Sequence, residues 1–265
     1  MSNSYRELPP CPRLAQYIEC YWIHGEQRPG AEANPILPDG CADLLFTTQN
    51  GEPAGLTVVG LMTTLLTLTP SPGRTFFAAR FRPGMAASFI PEAALLNDRV
   101  EPLESFWGTK ARVISERLAE SSTPESMADA MNAALLPLDP PDPAHRALHH
   151  LTDSAIPLDS LASQAGLERH FRRTCLERTG VSPKYLRRIL RFRKAVNQLS
   201  SINVRGSQPN WAQFALACGY YDQAHMIREF QEFAGCAPGR FIQSRNGPGV
   251  LKSGYDEPTK TREPN

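Results

Sequence analysis

The chain has 265 residues, of which 41% are hydrophobic, and its 28 Lys and Arg nearly balance 27 Asp and Glu, for a net charge of +1. This length fits one or two domains, and the hydrophobic content is sufficient for a buried core. No apolar run approaches the roughly 18 residues that a membrane-spanning helix needs, so we expect no membrane partner. The first residues lack the charged and then apolar pattern of a signal peptide, so we expect a cytoplasmic protein.

The six cysteines are scattered along the sequence and form no C-x-x-C pair. Zinc sites and disulfide frameworks both need closely spaced or regularly paired cysteines, so we expect free thiols in a reducing compartment. His145 and His149 have the i, i+4 spacing of a metal pair on a predicted helix, but no third ligand accompanies them. They are more typical of surface or packing histidines, and we expect neither a metal nor a cofactor.

The near-neutral net charge hides an uneven distribution along the chain. Residues 1–143 contain 10 Lys and Arg against 17 Asp and Glu, a net charge of −7. Residues 144–246 contain 15 against 7, a net charge of +8. A basic domain beside an acidic one is the electrostatic pattern expected of a nucleic-acid-binding protein.

Residues 1–137 mix strand and helix signals. Pro12–Cys20 has the composition of a short helix, and a turn is predicted at Pro38-Asp39-Gly40. Strand-like runs are found at Cys20–His24, Ala42–Thr48, Leu56–Met62, Leu65–Thr69 and Thr75–Phe81. From Met85 the sequence becomes helical, with amphipathic helices predicted over Thr109–Glu120 and Pro124–Leu136, the second capped by Thr123. The N-terminal domain is therefore predicted to be α+β, a small mainly antiparallel sheet or partial barrel with helices.

One charged cluster near the predicted strands is a candidate effector pocket. Arg80 and Arg82 are two residues apart, which in a strand places them on one face. With Asp39 and Asp43 they could bind an anion, and Trp22 would supply an apolar wall. The alternative is a structural Asp–Arg network that closes the sheet. No nucleophile or general base accompanies these residues in a recognisable arrangement, so we expect no enzyme.

Residues 138–143 (LDPPDP) form a predicted linker, because three prolines in four positions cannot continue a helix. Beyond it, residues 144–243 contain two similar bihelical units, Leu158–Pro183 and Trp211–Phe241. Each unit has a short helix that ends at a glycine and a second helix that closes with G-x-x-P, and the closing glycines, Gly180 and Gly235, are 55 residues apart. A long helix, Pro183–Leu199, joins the units, and residues 244–265 are a predicted disordered tail. The C-terminal domain is therefore all-α, with two helix-turn-helix units joined by a long helix.

The stretch ALACGYYDQAHMIREFQEFAGCAPGRF resembles the signature of the AraC/XylS family of bacterial transcription regulators, and the resemblance extends over about residues 144–243. The first unit departs from the family pattern: one residue is missing before its second helix, and Cys175 replaces the usual large aromatic. The N-terminal half is similar to a poorly characterised domain found in front of AraC-type DNA-binding domains. The motifs that carry this second resemblance are Tyr17–Trp22, Leu37–Phe46, Arg80–Gly84 and Leu103–Gly108.

The resemblance implies a sequence-specific DNA-binding regulator with two recognition helices in successive major grooves. Base contacts are then expected from Arg169, Arg172, Arg173, Gln223, His225, Ile227 and Arg228. DNA-backbone contacts are expected from Lys184, Arg187 and Arg188. Besides double-stranded DNA, the candidate partners are a small-molecule effector, a second copy of the chain, and RNA polymerase if the protein is an activator. Residues 1–137 would sense or regulate. The alternatives are a DNA-repair or modification enzyme that uses the basic domain for targeting, and a protein-interaction adaptor.

Overall fold

The computed structural model describes residues 5–25, 34–68, 71–136, 148, 168–201 and 209–245. The N-terminal part of the chain forms a six-stranded antiparallel sheet and a separate two-stranded sheet. The strands are β1 (Tyr5–Leu8), β2 (Ile18–His24), β3 (Asn34–Ile36), β4 (Ala42–Gln49), β5 (Glu52–Val59), β6 (Leu66–Leu68), β7 (Arg74–Phe81) and β8 (Val100–Pro102). The larger sheet has the order β1-β2-β7-β4-β5-β8, and β3 pairs with β6.

The central strand β7 is covered on both faces. It pairs with β2 on one side and β4 on the other, and its residues from Phe77 to Phe81 are all buried. A strand buried on both faces has a continuous apolar run instead of an alternation, as the sequence TFFAARF has. Arg80 lies within this run and is 8% exposed, so its charge must be compensated inside the protein.

Helices cover this sheet after the chain leaves β7. Two short 3₁₀ helices, Ala86–Ser88 and Pro91–Leu95, precede α1 (Glu104–Trp107), α2 (Thr109–Glu120) and α3 (Pro124–Leu135). Helix α2 packs on β5, and α3 packs on β1 and β7. The predicted cap of α3 is confirmed, because the Thr123 hydroxyl accepts from the backbone N–H of Ser126 at 3.1 Å.

The predicted helix over Pro12–Cys20 is wrong. Successive turns follow Cys11, with the backbone N–H of Leu14 donating to Cys11 O at 2.9 Å. Strand β2 then begins at Ile18 and pairs with Phe81 of β7. Local composition favoured a helix here, but pairing with a buried central strand decides the outcome.

The C-terminal part of the chain is helical throughout the described residues. Its helices are α4 (Glu168–Thr179), α5 (Pro183–Ser201), α6 (Trp211–Ala217), α7 (Gln223–Ala234) and α8 (Pro238–Arg245). The predicted first helix of the first unit, the predicted linker and nearly all of the predicted tail lie outside the described residues. Among the helices that the structure describes, none combines the length and apolar character needed to cross a membrane.

Helix α5 buries more than one stripe of residues. Ile189, Phe192 and Val196 are each 0% exposed and lie on one helical face. Leu186 and Leu190 are buried as well, on a face that contacts Gly40 of the N-terminal half. The helix therefore has two packed faces, one toward α7 and one toward the sheet domain, and the two halves share one hydrophobic core.

Candidate nucleic-acid interface

Helix α4 presents its arginines on the side away from its packed face. Phe171 and Cys175 are 1% and 0% exposed, and Thr174 and Thr179 are also buried. These positions follow the i, i+3, i+4, i+8 spacing of one helical face, so intervening residues face outward. The outward residues include Arg169, Arg172 and Arg173, all three exposed.

The predicted extent of the first recognition helix, Glu168–Arg178, agrees with α4 to within one residue. Arg173 is partly engaged within the helix, with its Nε 3.6 Å from Glu177 Oε1 and its Nη2 3.3 Å from His170 Nδ1. Cys175 fits its buried site by hydrogen bonding, its Sγ lying 3.5 Å from Val181 O. The smaller side chain at this position is therefore compatible with a packed helix-turn-helix unit.

In the second unit, Asn210 caps α6, and the Asp222 carboxylate caps α7 by accepting from the backbone N–H of His225 at 2.6 Å. Gly235 ends α7 in the left-handed region, at φ 68°, as Gly180 ends α4 at φ 69°. Met226, Phe230 and Phe233 are each 0% exposed and form the packed face of α7.

On the outer side of α7, Gln223 and Arg228 are exposed. Ile227 is half-buried, so part of its surface faces solvent beside Arg228. These three residues remain candidates for base contact, because a helix entering the major groove reads bases with its outward side chains.

The position of His225 differs from the expectation. Its Nε2 lies 3.3 Å from Glu229 Oε1, and its Nδ1 accepts from the backbone N–H of Tyr221 at 3.4 Å. Its ring also meets the ring of Tyr220 edge-on, with centroids 5.4 Å apart. Both ring nitrogens are bonded within the protein, but 29% of the side chain is exposed, so base contact by His225 stays a prediction.

Arg188 likewise differs from its expected role as a backbone contact. Its Nε donates to Glu229 Oε1 at 3.0 Å, and its Nη2 donates to Glu232. The guanidinium also lies over the rings of Tyr185 and Phe233, at 5.3 and 5.2 Å. These contacts occupy the charge, so Arg188 ties α5 to α7. Of the other two residues predicted for the backbone, Lys184 is exposed and Arg187 is half-buried.

Sequence reasoning did not identify Glu229 or Arg191. Glu229 is 2% exposed, and it accepts from Arg191 Nη2 at 2.6 Å. The signal available in the sequence was a carboxylate four residues after His225, at the border of the apolar stripe. A buried carboxylate must be paired, and here both partners on α5 are arginines.

The N-terminal candidate pocket brings four of its five residues together. Arg80 Nε lies 3.6 Å from Asp39 Oδ2 and 3.7 Å from Asp43 Oδ1, and its guanidinium lies 5.9 Å from the ring of Trp22. The Trp22 indole N–H donates to Asp43 Oδ1 at 3.3 Å. Burial raises the pKa of Asp43 to about 6, an effect that the charge of Arg80 offsets only in part. These contacts are also those expected of a structural Asp–Arg network that closes the sheet, the alternative to an effector pocket.

Arg82 is separate from this cluster. It follows the last residue of β7, and its Nε donates to the carbonyl oxygen of Ala15 at 2.9 Å. The expectation that Arg80 and Arg82 share a strand face is wrong because the strand ends between them. His145 and His149 lie outside the described residues, and within those residues no group of three metal-ligating side chains occurs.

No curated protein matches the chain significantly. Among solved structures, ToxT from Vibrio cholerae O395 is 9% identical and has a TM-score of 0.44, the alignment covering 86% of this chain and 99% of ToxT. ToxT from the same strain bound to (E)-4-(8-methylnaphthalen-1-yl)but-3-enoic acid is 12% identical with a TM-score of 0.40, covering 91% and 97%. Likenesses of this size assign neither a ligand nor a mechanism to this chain.

Two family matches divide the chain as the charge distribution does. Residues 6–102 match a domain of unknown function, DUF6597. Residues 161–244 match a helix-turn-helix domain of the AraC type, which includes α4 to α7 and both candidate recognition helices. The chain therefore contains a DUF6597 domain followed by a helix-turn-helix domain that is similar to the DNA-binding domains of AraC-type transcription regulators.

Proposed function

We propose that the chain is a sequence-specific regulator that reads two successive major grooves, one with α4 and one with α7. The observation that carries this proposal is shared by the two helices. Each buries one face against other parts of the protein and turns arginine or glutamine side chains to solvent. Residues 144–243 are then the DNA-binding domain, and residues 1–137 the regulatory one.

The side chains suggest which bases each helix reads. Arg169, Arg172 and Arg173 suit guanine, because a guanidinium can donate to O6 and N7 together, worth about 1–3 kcal/mol per good pair. On α7, Gln223 suits adenine, Arg228 suits guanine, and Ile227 can contact a thymine methyl group. Lys184 and Arg187 are assigned to phosphates. Two helices one DNA turn apart, about 34 Å, recognise two short boxes about 10 bp apart.

The N-terminal half is proposed to control this domain through an effector or through dimerisation. Its contacts with the helices support such control. The closing glycine of each unit lies close to the N-terminal half. A Cβ added to Gly180 would lie 2.2 Å from Ala94 O, and a Cβ added to Gly235 would lie 3.4 Å from Leu65 Cδ2. Between them, the Tyr185 hydroxyl donates to Thr63 O at 3.3 Å. A shift of this surface would therefore move both recognition helices.

The candidate effector pocket lies close to a second contact between the halves. Arg193 of α5 pairs with Glu19, and its Nη1 donates to Cys41 Sγ at 3.3 Å. Burial would raise the pKa of Glu19, but the paired Arg193, and to a lesser extent the nearby charges of Arg80 and Arg82, lower it. An anion bound at Arg80 would compete with the carboxylates around it and weaken the Glu19–Arg193 pair. Trp22, Asp39, Asp43 and Arg80 are therefore proposed to bind an effector, and Arg82 is not.

Further partners follow from the same proposal. A second copy of the chain would place two DNA-binding domains on one operator, and an activator would also contact RNA polymerase. The protein would act in the cytoplasm and without catalysis.

The proposal is tested with the double substitution Arg172→Ala/Arg228→Ala in the full-length protein. We expect specific DNA binding to be lost while circular dichroism and the melting temperature stay close to wild type, because both residues are exposed. A matched control is Arg112→Ala/Arg117→Ala, which removes two exposed arginines from α2. Unchanged specific binding in Arg172→Ala/Arg228→Ala would contradict the proposed function.

A further inference from the structure

Glu229 occupies the centre of a polar cluster on the inner side of α7. Its carboxylate is 2% exposed, yet both of its oxygens are bonded. Oε1 accepts from Arg188 Nε at 3.0 Å and from Arg191 Nη2 at 2.6 Å, and Oε2 accepts from Arg191 Nε at 3.3 Å. Burying a carboxylate is costly, and this one is retained with two arginines and a histidine around it.

The cluster joins the long helix α5 to two parts of the second helix-turn-helix unit, α7 and the turn that precedes it. Arg188 and Arg191 belong to α5, and Glu229 belongs to α7. The turn between α6 and α7 is joined through Tyr220, whose ring lies 4.9 Å below the Arg191 guanidinium. His225 completes the connection, with Nε2 3.3 Å from Glu229 and Nδ1 accepting from the next residue of that turn.

These bonds limit how α7 can rotate about its own axis. The aromatic contacts of Phe230 and Phe233 with Phe192 hold α7 against α5 on the apolar side of the helix. Hydrogen bonds to a carboxylate are directional, and a guanidinium presents its donors in a fixed fork. The exposed side chains Gln223 and Arg228 are carried by the helix that this cluster orients.

We propose that Glu229 is a positioning residue for base recognition by α7. It fixes the rotation of α7 on α5 through Arg188, Arg191 and His225, and so aims Gln223 and Arg228 at the bases. This inference rests on the proposed function, because it assigns a residue that serves specificity at one of the two boxes. It also accounts for the contacts that both ring nitrogens of His225 make within the protein.

The test measures discrimination at each box separately. Full-length wild type first selects its site from a random DNA pool, and Arg228→Ala identifies the box that α7 reads. Dissociation constants are then measured for the intact site and for sites with either box scrambled. In Glu229→Gln we expect discrimination at the α7 box to fall roughly tenfold, the size of one lost bidentate contact. Discrimination at the α4 box should stay within about twofold.

Two further variants separate orientation from general stability. Glu232→Gln removes another partner of Arg188 but none of Arg191 or His225, and it should keep discrimination at both boxes. Arg191→Gln removes the Glu229–Arg191 bonds from the α5 side and should reproduce the box-specific loss even if Glu229→Gln folds poorly. Folded fraction is followed by circular dichroism, since simple destabilisation weakens both boxes together.

Each outcome bears on the inference. Loss confined to the α7 box in Glu229→Gln or Arg191→Gln supports it. Equal loss at both boxes, or no loss at either, overturns it and leaves Glu229 with a purely structural role. A wild type that selects no box overturns the proposed function and the inference with it, whereas two boxes retained in both variants overturn the inference alone.

Discussion

The side-chain amide of Asn97 donates a hydrogen bond to the carbonyl oxygen of Thr179 at 3.0 Å. Asn97 lies just before β8, and Thr179 is the last residue of α4, so this bond joins the acidic half to the first recognition helix. A free carbonyl at a helix end needs a donor, and here the other half of the chain supplies it. The orientation of α4 therefore depends on the N-terminal half.

Replacing Asn97 tests this dependence. Asn97→Asp keeps the shape of the side chain but replaces the N–H donor with a carboxylate oxygen that faces the Thr179 carbonyl, so we expect the free energy of unfolding to fall by about 1–3 kcal/mol. We also expect DNA affinity to change, because the end of α4 is released. Urea denaturation and titration with the selected DNA site measure the two effects. The exposed Glu120→Gln on α2 is the control, and equal values for both variants would contradict the coupling.

Gly180 tests how closely the two halves approach. Its φ is 69°, and an added Cβ would lie 2.2 Å from the carbonyl oxygen of Ala94. Gly51 has a φ of 86° but has nothing within 4 Å of such a Cβ. Gly51→Ala should therefore cost about 1–2 kcal/mol for the backbone alone. Gly180→Ala should cost a further 1–3 kcal/mol or so for overlap.

Chemical denaturation of the two glycine variants side by side gives both costs. A larger loss in Gly180→Ala than in Gly51→Ala is the expected result. Equal losses would mean that the halves separate readily at this point, contrary to a fixed contact between α4 and the N-terminal half.

Stability should depend on pH through Asp43. Burial raises its pKa to about 6 in the folded protein, against an ordinary value of 3.8. The folded chain then holds a proton that the unfolded chain has released, so this stabilisation is complete at low pH and is lost as the pH rises through about 6. The variant Asp43→Asn has no titratable group at this position. As the pH rises from about 4.5 to 7, the free energy of unfolding of wild type should fall by about 2 kcal/mol relative to that of Asp43→Asn, measured by urea denaturation. A constant difference would contradict the raised pKa.

Replacing Lys184 or Arg188, which both lie near the start of α5, with alanine should have different effects on DNA binding and stability. Lys184 is exposed, so Lys184→Ala should weaken binding to all DNA sequences alike and reduce the salt dependence of affinity by about one released counterion. Arg188 is paired with buried Glu229, so Arg188→Ala should lower the free energy of unfolding by about 1–3 kcal/mol. Salt titrations and thermal melts distinguish the two. A salt slope changed only by Arg188→Ala would reverse these assignments.

Features set by neighbouring residues were predictable from the sequence. The cap at Asp222, the ends at Gly180 and Gly235, and the stripe of Met226, Phe230 and Phe233 depend on contacts within a few residues, and all are present. The fold class of both halves was predicted for the same reason.

Features that depend on distant partners were not predictable. The segment before Ile18 forms turns because its neighbour is β7, about sixty residues further along the chain. His225 is bonded within the protein because Arg191 and Glu229 lie beside it, the first of them 34 residues away in the sequence. The second packed face of α5 forms against Gly40 of the N-terminal half, where an added Cβ would lie 3.1 Å from Leu190 Cδ2 and 3.4 Å from Leu186 Cδ1. Charges on a helix surface cannot by themselves distinguish a residue that contacts DNA from one that pairs internally.

The most direct test of the central claim is selection of bound DNA from a random pool with the full-length protein at two salt concentrations. Two recognition helices one DNA turn apart predict an enriched motif of two short boxes about 10 bp apart, retained at both concentrations. Binding that weakens steeply with salt and enriches no motif would mean that only the DNA backbone is contacted. That result would contradict base recognition by α4 and α7.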